Sequence, residues 1–109
     1  MELAKRQCAP CRGDTPRLTG EEIAPLLSEL DGWQVSDERL RKTFRFRDFA
    51  GALAFVNRIG EVAEREQHHP DIELAWGRVS LAIWTHAIGG LSENDFILAA
   101  KIDALDRPA

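Results

Sequence analysis

Three histidines, His68, His69 and His86, are the residues of this 109-residue chain best suited to proton transfer. An imidazole titrates near neutral pH, so it can both give and take a proton there. Two carboxylates stand at telling spacings. Glu64 precedes His68 by four residues, which places the two on one face of a helix. Asp95 stands three residues after Ser92, the spacing of a capping box. A carboxylate beside an imidazole orients the ring and favours its charged form, and a helix C-terminus adds to that preference through its dipole. Each feature also has a plain structural reading. Glu64 and His68 could be a surface pair at a helix end, and Asp95 could be the reciprocal partner in a cap begun by Ser92. The three histidines with Glu64 and Asp95 could in principle hold a metal. However, adjacent histidines point in different directions where the chain is extended, so no metal site is expected.

Other groups invite weaker readings. Cys8-Ala9-Pro10-Cys11 could be a redox pair or half of a zinc site. It has no thioredoxin-like strand–helix–strand setting, and four thiolates around zinc would require a second chain. The expectation is two free thiols in a flexible tail spanning residues 1–18. Arg39, Arg41, Arg45 and Arg47 share one side of an alternating stretch. They read as a solvated sheet face, or as an interface or anion patch.

Composition narrows the classes of function. With 14 basic against 18 acidic residues, the net charge of −4 argues against binding by neutralising backbone phosphates. Two cysteines cannot build the disulfide framework of a small secreted scaffold. No apolar run is long enough to span a bilayer, and residues 1–7 contain no signal-peptide core, so a cytoplasmic protein is expected. At 44% hydrophobic and 29% charged, the chain has the balance of one globular domain, placed at residues 19–109.

The elements that must position these groups follow from periodicity. Thr19-Gly20-Glu21-Glu22 has capping-box spacing, and Ile23, Leu26, Leu27 and Leu30 follow as one helical stripe. Pro25 within it predicts a kink or a late start, and Asp31-Gly32 a stop. A short strand is expected at residues 33–35. In residues 39–47, Leu40, Lys42, Phe44 and Phe46 alternate with arginines and Thr43, as in a half-buried antiparallel strand. Asp48 caps a long helix whose expected buried stripe is Phe49, Ala52, Leu53, Val56, Ile59, Gly60 and Ala63. Its glycines suggest close packing of a neighbour. It should stop near Gln67-His68, because the residue before Pro70 is driven out of the helical region. Ile72, Leu74 and Trp76 share one face of a strand, Gly77-Arg78 fits a turn, and Val79, Leu81 and Ile83 continue a hairpin. Gly89-Gly90 breaks the chain before a last helix carrying Phe96, Leu98, Ala99, Ala100, Ile102 and Leu105. The order α, β, β, α, β, β, α predicts an α+β domain: a four-stranded antiparallel sheet with helices on one face.

Glu64, His68, His69 and Pro70, then Trp76, His86 and Asp95, stand at fixed intervals. This pattern resembles the signature of the pterin-4a-carbinolamine dehydratases, also called 4a-hydroxytetrahydrobiopterin dehydratases. Leu30-x-Gly32-Trp33 upstream, and Thr85-His86 followed by Gly90-Leu91-Ser92, add to the likeness, which covers roughly residues 18–106. The resemblance implies the same α+β fold and assembly as a homodimer or homotetramer. The reaction it implies is loss of water from a 4a-hydroxytetrahydropterin to give the quinonoid dihydropterin, with no metal or organic cofactor. That step recycles the pterin of aromatic amino acid hydroxylases, which makes a phenylalanine hydroxylase a functional partner. By match to the motif, His68 and His86 form the acid–base pair and His69 contacts the pterin. Glu64 and Asp95 tune the imidazoles, and Trp33 and Pro70 lie at the substrate. The pterin carries no phosphate, which agrees with the absence of a glycine-rich phosphate loop. Two alternatives keep the fold: a non-catalytic dimerisation or assembly module, and a dehydratase of another pterin in molybdopterin metabolism.

Overall fold

The computed structural model describes residues 3–9, 13 and 15–105. Cys11, and with it the Cys8-x-x-Cys11 spacing, lies outside the described residues, as do residues 106–109. The elements are α1 (Gly20–Ser28), β1 (Gln34–Ser36), β2 (Arg39–Arg45), α2 (Phe49–Glu66), β3 (Asp71–Ala75), β4 (Arg78–Ile83) and α3 (Glu93–Asp103). Short 3-10 turns precede α1 at Leu3–Lys5 and follow β4 at His86–Ile88. The strands form one antiparallel sheet in the order β1-β2-β4-β3. This is the α+β architecture that the alternation predicts.

Register decides which face is covered. Leu40 lies opposite Ile83, and Phe44 opposite Val79, all buried; Arg41 opposite Ala82 and Thr43 opposite Ser80 face the other way. The helices therefore cover the Leu40 face, and Arg41, Thr43 and Arg45 stay exposed. The core joins this face to α2 through Phe55, whose ring lies 4.9 Å from Phe44 and 5.2 Å from Phe46. Burying such a ring contributes about 1.5–3 kcal/mol.

Several local signals act as their chemistry predicts. Thr19 and Glu22 complete their reciprocal cap. Asp48 accepts the Gly51 N–H at 2.8 Å. Pro25 sits inside α1 without delaying its start, since the cap at Thr19 already defines the first turn. The buried stripe of α2 differs from expectation. Phe55 and Val62 are buried with Ala52, Ile59 and Ala63, whereas Phe49 and Leu53 are 43% and 41% exposed. Apolar residues surround much of this helix, and contact with Phe44 and Phe46 selects the Phe55 side. Gly60 admits no close neighbour: a Cβ there would meet nothing within 4 Å.

The hairpin turn falls at Trp76-Gly77, one residue earlier than expected, which leaves Trp76 outside the strand and 68% exposed. Gly77 is needed there because its Cα abuts Phe46: a Cβ would approach the Phe46 carbonyl oxygen to 2.8 Å. The described part of the lead-in contributes to packing. Leu3 is buried in the core, and Leu18 N–H donates to the Leu91 carbonyl at 2.9 Å.

Candidate active site

The histidines gather where α2 ends, β4 ends and α3 begins. Gln67 adopts the left-handed conformation (φ 54°, ψ 38°) that terminates α2, and His68 and His69 follow as non-helical chain before Pro70. His86 opens the short turn after β4. All three line one open cleft of about 680 Å³, with Trp84, Asn94, Cys8 and Ala9 among its other walls.

His68 is held by Asp95. Its Nε2 lies 2.6 Å from Asp95 Oδ1. The other carboxylate oxygen accepts the Ser92 backbone N–H at 2.8 Å and the Thr85 hydroxyl at 3.0 Å. Ser92 Oγ in turn lies 2.6 Å from Thr85 Oγ1, so the Ser92 hydroxyl donates to Thr85. Asp95 is fully buried, and three donors converge on it. The residue is both the reciprocal cap of α3 and the partner of an imidazole, so the two readings of Asp95 are compatible. Accepting Nε2–H leaves Nδ1 as the nitrogen of His68 that can exchange a proton.

Glu64 pairs with the other member of the doublet. Its Oε2 lies 2.5 Å from His69 Nε2, not on His68. The helical spacing of Glu64 and His68 does not survive, because the left-handed Gln67 carries His68 off the helix before its side chain is placed. His69 and Glu64 side chains are 55% and 75% exposed. His86 stacks on Trp84, ring centroids 4.3 Å apart and planes 27° from parallel. The Arg39 guanidinium also packs on that indole, 4.1 Å from its centre.

Trp33 and Pro70 lie elsewhere. Trp33 is buried against Phe44 and donates its Nε1–H to Asp103 at 2.9 Å. Asp103 is eight residues beyond Asp95 on α3, about 12 Å along a helix axis. Trp33 therefore packs at the opposite end of α3 from His68. Pro70 borders a separate hollow beside β3 with Arg41 and Asp71. Among the described residues, no group of three or more His, Cys, Asp or Glu side chains is placed to hold a metal ion.

Sequence reasoning missed Trp84, the roles of Thr85 and Asn94, and the approach of Cys8 and Ala9. The signal for Trp84 and Thr85 was available: an aromatic and a hydroxyl directly precede His86, just beyond the strand that carries Val79, Leu81 and Ile83. Nothing local marks Cys8, which reaches the cleft across the whole length of the chain.

The fold and the gathered imidazoles define an α+β domain whose cleft is lined by three histidines. Comparison with known proteins gives that class a family. The Pterin 4 alpha carbinolamine dehydratase profile matches residues 16–105. A protein of Rubrobacter xylanophilus provisionally named pterin-4-alpha-carbinolamine dehydratase is 54% identical over 105 residues, covering 95% of this chain and 98% of its own length. One of the same name from Nitrosospira multiformis is 49% identical, covering 95% and 92%. A crystal structure of a Brucella melitensis protein titled transcriptional coactivator/pterin dehydratase superposes with a TM-score of 0.77 at 37% identity, covering 82% of this chain and 97% of that one. A pterin dehydratase-like protein titled as a RuBisCO assembly factor in the alpha-carboxysome gives 0.56 at 26% identity, covering 66% and 83%. The chain belongs to the pterin-4-alpha-carbinolamine dehydratase family and is an enzyme of the hydro-lyase class. No helix among the described residues is long and apolar enough to cross a membrane.

Proposed function

We propose that the cleft binds a 4a-hydroxytetrahydropterin and eliminates water from it by imidazole acid–base catalysis. The observation that carries this reading is the His68–Asp95 pair, placed in a cleft that His69 and His86 also line. The 4a-hydroxyl leaves poorly unless protonated. The elimination breaks the C4a–O bond and the N5–H bond and forms C4a=N5, releasing one water. One group must deliver a proton to the departing oxygen, and another must accept the proton from nitrogen. His68 suits the accepting role, because the buried Asp95 carboxylate stabilises the imidazolium that forms. His86, stacked on Trp84 rather than bonded to a carboxylate, suits the donating role. His69 contacts the substrate from the rim, where it pairs with the exposed Glu64. Written this way, the step requires neither a metal nor an organic cofactor.

The product fits recycling of the pterin used by aromatic amino acid hydroxylases, with a phenylalanine hydroxylase as functional partner in the cytoplasm. A homodimer or homotetramer accords with the exposed Phe49 and Leu53 on α2, apolar surface of the kind that subunit contacts bury; sedimentation equilibrium distinguishes these states from a monomer. The reaction itself is tested by following decay of a freshly generated 4a-hydroxytetrahydropterin by absorbance. Acceleration in proportion to enzyme concentration is expected. Decay at the uncatalysed rate would exclude the reading and favour an assembly module, the role for which the alpha-carboxysome relative is named.

A further inference from the structure

We propose that the N-terminal segment Leu3–Ala9 is a built wall of the substrate cleft, so that Cys8 and Ala9 contact the bound pterin and contribute to its affinity. The inference rests on the pterin reading above and extends it to a segment that lies before the family match at residues 16–105. Cys8 and Ala9 line the same cleft as the three histidines. Their position is specified at both residues and along the segment leading to them. Cys8 N–H donates to Glu66 Oε1 at 2.9 Å, on the last residue of α2. Ala9 is bonded through both backbone groups to one side chain: its N–H donates to Asn94 Oδ1 at 2.9 Å, and its carbonyl accepts from Asn94 Nδ2 at 2.5 Å. The Cys8 thiol lies 3.6 Å from the Asn94 carbonyl oxygen.

Upstream, Lys101 donates to the Ala4 carbonyl at 2.8 Å and lies 3.8 Å from Glu66. Arg6 pairs with Glu93, and Leu3 is buried in the core. Contacts therefore seat the segment between the end of α2 and the first turns of α3, one residue from Asp95. An asparagine that satisfies both polar groups of one backbone residue fixes that residue's distance from the cleft. Burial, and then the Glu66 carboxylate, push the Cys8 thiol up to about 12, with Lys101 opposing and Asp95 adding to the rise. Two small residues, one with a neutral thiol, thus line the cleft, which suits van der Waals contact with a flat, uncharged heterocycle rather than nucleophilic chemistry.

Removing the segment would also remove Leu3 from the core, so the test leaves the chain whole. In a Cys11→Ser background Cys8 is the single thiol. Calorimetry with 7,8-dihydrobiopterin, a stable reduced pterin, measures binding. The rate of Cys8 modification by methyl methanethiosulfonate at pH 9 is then compared with and without saturating pterin. Binding together with at least fivefold protection is the expected result. Binding with an unchanged modification rate overturns the wall while leaving the dehydratase reading intact. No binding overturns both. As an independent arm, Asn94→Ala releases both Ala9 bonds and is expected to raise KM about tenfold, more than it lowers kcat. A fall in kcat with KM unchanged would contradict a wall that works through affinity.

Discussion

His68 and His69 are consecutive residues, each bonded through Nε2 to a carboxylate, yet the two pairs occupy opposite environments. His68 meets Asp95 with side-chain exposures of 13% and 0%, and the remaining carboxylate oxygen is occupied by Ser92 and Thr85. His69 meets Glu64 with exposures of 55% and 75%. A buried, fully bonded pair holds one ring orientation, because rotating either group would strand a polar atom away from water. An exposed pair is screened, and its groups exchange the same bonds with solvent at little cost. A short histidine–carboxylate distance therefore does not by itself fix a ring; the bonds behind the carboxylate do.

This contrast can be broken or sharpened by substitution. The largest effect is expected from His68→Ala, which should slow dehydration by about two orders of magnitude or more with the fold retained by circular dichroism. His86→Ala should act on a similar scale. If both variants keep full turnover, the acid–base assignment fails. Asp95→Asn is expected next. It should lower turnover by roughly 10²-fold through loss of the fixed His68 orientation. It should also cost about 1–3 kcal/mol in urea denaturation, as the new amide cannot accept from every donor around it. Equal turnover in Asp95→Asn and the parent would mean that Asp95 is only a helix cap. Trp84→Leu removes the ring beneath His86 and should reduce kcat by about tenfold, with Trp84→Phe recovering most of it. The smallest effect is expected from Glu64→Gln: turnover within about threefold, and stability within about 0.5 kcal/mol. A Glu64→Gln loss as large as that of Asp95→Asn would erase the distinction between the pairs.

Legibility in the sequence followed the range of the forces involved. Thr19 with Glu22 and Asp48 with Gly51 were readable because a cap involves neighbours within one turn. The alternation in residues 39–47 identified the covered face of β2, since side chains on a strand can only alternate. Phe49 and Leu53 were misplaced because hydropathy alone does not tell which side of a broadly apolar helix meets Phe44 and Phe46. Glu64 was assigned to His68 by helical spacing, which the left-handed Gln67 cancels one residue before it would apply. Trp33 sits at the far end of α3 from the cleft, a separation invisible until the packing of that helix is known.

The amino-acid sequence by itself determined the number and order of elements, the covered face of the central strand, and the imidazoles and carboxylates available for proton transfer. Those depend on local backbone preference, periodicity and residue type. Tertiary structure alone decided which carboxylate serves which imidazole and that Cys8 and Ala9 reach the cleft. Each of these joins residues far apart in the chain, or separated by a reversal of the backbone. Their meeting is set by how α2, α3 and the sheet pack, which no single segment encodes.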